Sequence, residues 1–196
     1  MSVPRLLRVG LDGRSLQPGF AGEGARGTGV YTRELLRALA ARHDLVLTVW
    51  FDRALPVPDG VVPPGVRLRR YATSLLPLGE RIASQITVPL AAGDRTHDVF
   101  HWPSHRHAPA LPPRGSVLTV HDLLLEDHPE WAPDGAGAGF RAARALEASA
   151  LRRATVLVAD TEGVRAALAE RHGVERHHVH VAPLGVHERF APVSAA

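Results

Sequence analysis

The segment SVLTVHDLLLEDHP, Ser116–Pro129, ends an apolar run on His121 and Asp122. If the run is a buried strand, both side chains emerge at its carboxyl end, where open α/β sheets place ligands. A histidine there can donate a hydrogen bond to a hydroxyl or phosphate oxygen, or move a proton near pH 7. It can equally do no more than bond a neighbouring loop carbonyl. A second stretch, GTGVYTRELLRALA, puts Gly27, Thr28 and Gly29 at the head of an amphipathic helix. Free backbone N–H groups and the helix dipole at such a mouth attract anions. The same residues approximate the dinucleotide fingerprint G-x-G-x-x-G, with Thr32 at the third glycine and Asp52 where a ribose-binding acid would stand. The fingerprint belongs in the turn directly after the first strand, however, and about fifteen residues separate Leu11 from Gly27. In the plainest alternative the glycines form only a flexible helix entry, with Thr28 as N-cap.

Histidines recur at His101, His105 and His107, and again at His177, His178 and His180. Imidazole is a good zinc ligand, but these spacings match no common zinc template and lack cysteine or carboxylate partners, so no metal is expected. His101, ending a short strand beside a loop, is kept as a candidate acceptor contact. The nucleophile-elbow pattern G-x-S-x-G is absent, and a chain without lysine cannot carry a P-loop. Without cysteine there is no disulfide and no thiolate nucleophile.

Strand-length apolar runs alternate with helix-length periodic segments, the pattern of βαβ units and a parallel sheet. The strands are expected at Leu6–Leu11, Leu45–Phe51, Val66–Arg70, Asp98–His101, Ser116–Val120, Val156–Ala159 and Val179–Ala182. The helices are expected at Gly29–Ala41, Leu78–Ala91, Gly139–Arg153 and Gly163–His172. The fold class is therefore α/β, a Rossmann-like parallel sheet with helices on both faces. Residues 1–187 form this domain, and 188–196, where periodicity fades, read as the start of an interdomain linker.

At 196 residues the chain suits one domain of ordinary size. A pI near 10.4 overstates its basicity, because the net charge is only +3 and every basic residue is arginine. These arginines are scattered among acids rather than gathered in a patch, which argues against a nucleic-acid partner. No apolar run is long enough for a transmembrane segment, and the start has no signal-peptide pattern, so a cytoplasmic location is expected. Leu75–Leu90 carries one cation, Arg81, balanced by Glu80, so there is little attraction to a lipid surface.

Four pieces in order, GTGVYTRELLRAL, DVFHWPSH, VLTVHDL, and RRATVLVADTEGVRAAL followed by HVAPLGVHERFAP, make the chain resemble the N-terminal, acceptor-side domain of family 4 glycosyltransferases. These are retaining enzymes of the two-Rossmann GT-B architecture, and the resemblance runs from the first strand to Pro192. It implies that Gly27, Thr28 and Gly29 line the cleft and help bind the donor's pyrophosphate or the acceptor. It implies that His121 faces the donor sugar near the reacting carbon, with Asp122 orienting it. His101, Thr161, Glu162 and Arg165 then fall on the acceptor side, with Thr161 replacing the usual serine. The family's closing G-V-D is Gly185-Val186-His187 here. The implied partners are a nucleotide-sugar donor and a sugar, lipid or small-molecule acceptor. No cofactor or metal is implied, the nucleotide-sugar being a substrate. The family's donor-binding C-terminal domain would have to come from elsewhere, so the chain alone is expected to be inactive or weakly active. Two other readings remain open: a non-catalytic module that binds a sugar or glycolipid head group, and a nicotinamide-dependent oxidoreductase.

Overall fold

The computed structural model describes residues 5–20, 27–72, 85, 87–90, 92–93, 96–131 and 137–186. Seven strands form one sheet: β1 (Leu7–Asp12), β2 (Leu45–Asp52), β3 (Arg67–Tyr71), β4 (Val99–Trp102), β5 (Ser116–Val120), β6 (Val156–Ala159) and β7 (Val179–Val181). Every pairing is parallel and the order is β3-β2-β1-β4-β5-β6-β7. The chain builds outward from β1 to β3, then returns to place β4 on β1's free side. The strand order thus reverses between β1 and β4, which opens a crevice at the carboxyl edge.

Four helices are described from end to end beside the sheet: α1 (Gly27–Ala40), the single turn α2 (Leu124–Asp127), α3 (Ala138–Arg153) and α4 (Glu162–His172). Side chains alternate across each strand, which sorts the interior into two layers. Val9, Leu11, Leu47, Val49 and Phe51 face α1, meeting its buried Leu36. Phe100, Trp102, Leu118, Val120, Leu157 and Ala159 face the other way, with Leu151 of α3 and Leu168 of α4 packed over them. Covered on both faces, β2 can be largely apolar. The edge strand β3 instead reads RLRRY, exposed except for Tyr71, and its arginines discourage pairing with another sheet.

Each strand lies within a residue or so of its expected place, and helices cover both faces as expected. α1 starts at Gly27, so Thr28 lies inside its first turn and is not the N-cap. Of the helix expected at Leu78–Ala91, the described positions 85, 87–90 and 92 are helical and the rest lie outside the described residues. The linker at 188–196 also lies outside them. No described helix is long and apolar enough to cross a membrane.

Candidate active site at the carboxyl edge

The loop after β1 is fixed by a buried ion pair. Asp12 ends the strand, and Arg14 folds back to donate from Nε and Nη2 to its two carboxylate oxygens at 2.8 to 3.2 Å. Tyr71 at the end of β3 donates to the same carboxylate at 2.9 Å, and Arg14 donates to the His107 carbonyl at 2.8 Å. Burial alone would push the Asp12 carboxyl up, but the charge and hydrogen bonds of Arg14 more than reverse this and hold it low. Gln17, fully buried, clamps the end of β2. Its amide donates to the carbonyls of Asp52 and Leu55, and its oxygen accepts from Asp52 N–H at 2.7 Å. Ser15 then donates to Thr32 of α1 at 2.8 Å, and Thr32 to the Thr28 carbonyl. These bonds set the head of α1, with its Gly27, Thr28 and Gly29, beside the carboxyl edge.

Three adjacent strands supply the centre. His121, just beyond β5, places Nδ1 2.7 Å from Asp160 Oδ2, just beyond β6, and Nε2 2.9 Å from the Pro103 carbonyl, just beyond β4. Tyr31 of α1 meets the His121 ring edge-on with centroids 4.7 Å apart. Its hydroxyl lies 3.2 Å from Thr119 Oγ1, which in turn lies 2.8 Å from His101 Nε2. Burial, helped by the nearby His121, pushes His101 down to about 4, so its imidazole is neutral at pH 7. His105, in the turn after β4, is pushed down to about 3 by burial and by the charge of Arg144. Behind it, Arg144 and Glu147 of α3 form an ion pair in which burial penalises both partners. Burial outweighs Arg144's attraction and pushes the Glu147 carboxyl up to about 7.

Of the residues singled out in the sequence, His121 and His101 come together through Thr119 and Tyr31. Asp122 does not orient His121: its carboxylate turns away and accepts the Leu124 N–H at 3.1 Å. The carboxylate on His121 is Asp160, which the sequence reading passed over. Two adjacent parallel strands, VLTV and VLVA, each followed by an ionisable residue, carried that signal. Thr161 caps α4, its hydroxyl accepting the Val164 N–H at 3.2 Å, and Arg165 pairs with Glu162 at 2.6 Å. Both features hold the helix that starts beside Asp160. Asp52 is buried and its carboxylate accepts the Ala54 N–H, so it offers no open acid for a ribose. His101, His105 and His107 form no cation-holding group among the described residues. Glu175, His177 and His178 do lie close enough together to hold one, on an exposed turn before β7. A pocket of about 260 Å³ lies nearby at the amino edge, bordered by Leu157, Val174 and His178, far from the strand ends that carry the chemistry.

A sequence profile of Glycosyltransferase Family 4 matches residues 25–190. The chain belongs to this glycosyltransferase family. No curated protein matches the chain. Among solved structures, the Anabaena protein HepE, crystallised in complex with UDP, aligns with the family 4 domain at a TM-score of 0.51 and 16% identity. The alignment covers 92% of this chain and 44% of HepE, so the chain spans less than half the length of that relative. The fold is one Rossmann-like half of the GT-B architecture.

Proposed function

We propose that this family 4 domain is the N-terminal, acceptor-side half of a retaining glycosyltransferase that moves a hexose from a nucleotide-sugar to a sugar, lipid or small-molecule acceptor. The observation that carries this reading is the meeting of His121, Asp160, His101 and the head of α1 at the crevice where the strand order reverses. The UDP bound by HepE, a structure of the same fold, agrees with a nucleotide donor.

In this reading the head of α1 offers backbone N–H groups and the positive end of the helix dipole to the donor's diphosphate. Retention has the acceptor hydroxyl attack on the face from which the diphosphate departs. Negative charge on the leaving oxygen then has to be met by donors already in place. His121 stands close to that charge. The neutral His101, linked through Thr119 to Tyr31, offers hydroxyl and imidazole contacts to an acceptor, and Thr161, Glu162 and Arg165 border the same side. A second, donor-binding domain supplies the remaining contacts, and no metal is required.

Calorimetric titration with UDP- and GDP-sugars tests the proposal, first on the chain alone and then with a family 4 C-terminal domain added in trans. The expected result is weak binding alone, with binding and hexosyl transfer gained on addition. Micromolar donor affinity with transfer by the chain alone would overturn the half-site reading. Acceptor binding without any gain in transfer would favour a non-catalytic sugar-binding module.

A further inference from the structure

The two bonds made by His121 constrain its state. A carbonyl oxygen only accepts hydrogen bonds, and so does an ionised carboxylate. Nδ1 faces a carboxylate oxygen of Asp160 at 2.7 Å and Nε2 faces the Pro103 carbonyl at 2.9 Å, so both bonds exist only if both ring nitrogens carry hydrogen. Asp160 supplies an independent reason. Its residue is 9% exposed, and its other carboxylate oxygen, Oδ1, is buried with no hydrogen-bond partner among the described residues. A carboxylate withdrawn from water in this way keeps its charge only with a cation beside it, and the His121 ring is the group it touches.

We infer that Asp160 is the positioning residue of the site, holding His121 as a doubly hydrogen-bonded imidazolium that acts through its charge and has no free nitrogen to accept a proton. The groups around the ring fit this assignment. Tyr31 approaches from α1 with its ring nearly perpendicular to that of His121, and His101 and His105 approach from β4 and the turn after it. Burial keeps both of these imidazoles neutral, and the neighbouring His121 lowers each further, so one cation stands among three histidines. Asp122, next in sequence, is occupied by the Leu124 N–H. The arrangement also ties together the ends of β4, β5 and β6, because the single ring bridges Pro103 and Asp160. That the charge acts on a departing diphosphate rests on the glycosyltransferase reading. The pairing itself does not.

The test is side-chain ¹H–¹⁵N correlation of the histidines in the labelled chain at pH 7, with His121 assigned by its loss in His121→Gln. The expected wild-type result is hydrogen on both His121 nitrogens and on only one nitrogen each of His101 and His105. In Asp160→Asn, one His121 nitrogen should become bare while the His101 and His105 signals keep their places, which reports that the fold is retained. A bare His121 nitrogen in the wild type would overturn the inference, even if Asp160→Asn failed to fold. So would an Asp160→Asn spectrum identical to wild type. A chain that bound no nucleotide-sugar but showed the doubly hydrogenated ring would refute the functional reading alone.

Discussion

Arg14 and Asp12 are both buried, and removing one partner of such a pair leaves the other charge stranded. Arg14→Met should therefore destabilise the chain by about 3–5 kcal/mol at pH 7 in urea denaturation. The loss should shrink toward pH 4, where Asp12 can take up a proton once its cation is gone. Titration of the buried groups has a sign of its own. His101 and His105, held at about 4 and about 3, stay neutral in the folded chain, whereas the unfolded chain binds protons below an ordinary value near 6.5. Their contribution is complete above that value and declines as the pH falls toward 4. Glu147, raised to about 7, works in the opposite direction: its contribution is complete below about 4.5 and is lost as the pH rises to 7. Two histidines outweigh one glutamate, so calorimetry should show a Tm that falls on the acid side. Glu147→Gln should raise Tm at pH 8 and leave it unchanged at pH 5, and an equal effect at both values would remove Glu147 as the source.

The elements are where sequence and structure agree most closely, because strand and helix periods are local properties. VLTV and VLVA could hardly be anything but buried strands, and both fall at Ser116–Val120 and Val156–Ala159 as read. Helix ends were less legible. The head of α1 is set by Ser15, whose bond to Thr32 spans seventeen residues and leaves no local pattern. The site divides the same way. His121 and His101 could be placed by counting to a strand end. The partner of His121 could not, because Asp160 lies thirty-nine residues away and is brought near only by the β5–β6 pairing. Asp122, adjacent in sequence, drew the inference and proved to serve the turn of α2. Two substitutions test the elements directly. Thr161→Ala removes the cap of α4 and should cost about 1 kcal/mol by chemical denaturation. Leu36→Ala empties the fully buried contact between α1 and the sheet and should cost about 2–5 kcal/mol.

At the scale of the molecule, the crevice is one-sided: strand ends, the head of α1 and the His121 ring face outward from a single sheet. His121→Ala should accordingly lower transfer far more than donor affinity when a C-terminal domain is supplied, since a charge used on the leaving group acts mostly in the transition state. Comparable losses in both, measured by steady-state kinetics and titration, would mean that the ring only binds. The two packed layers carry a further consequence. Among the described residues, the layer beneath α1 is drawn from Val9 to Val66, whereas the opposite layer gathers residues from Trp50 to Val179. β1 pairs with β4 as well as with β2, so both layers share one sheet and belong to a single folding unit. A nascent chain that has not yet reached β6 therefore carries His121 without the carboxylate of Asp160 that holds it, thirty-nine residues further on.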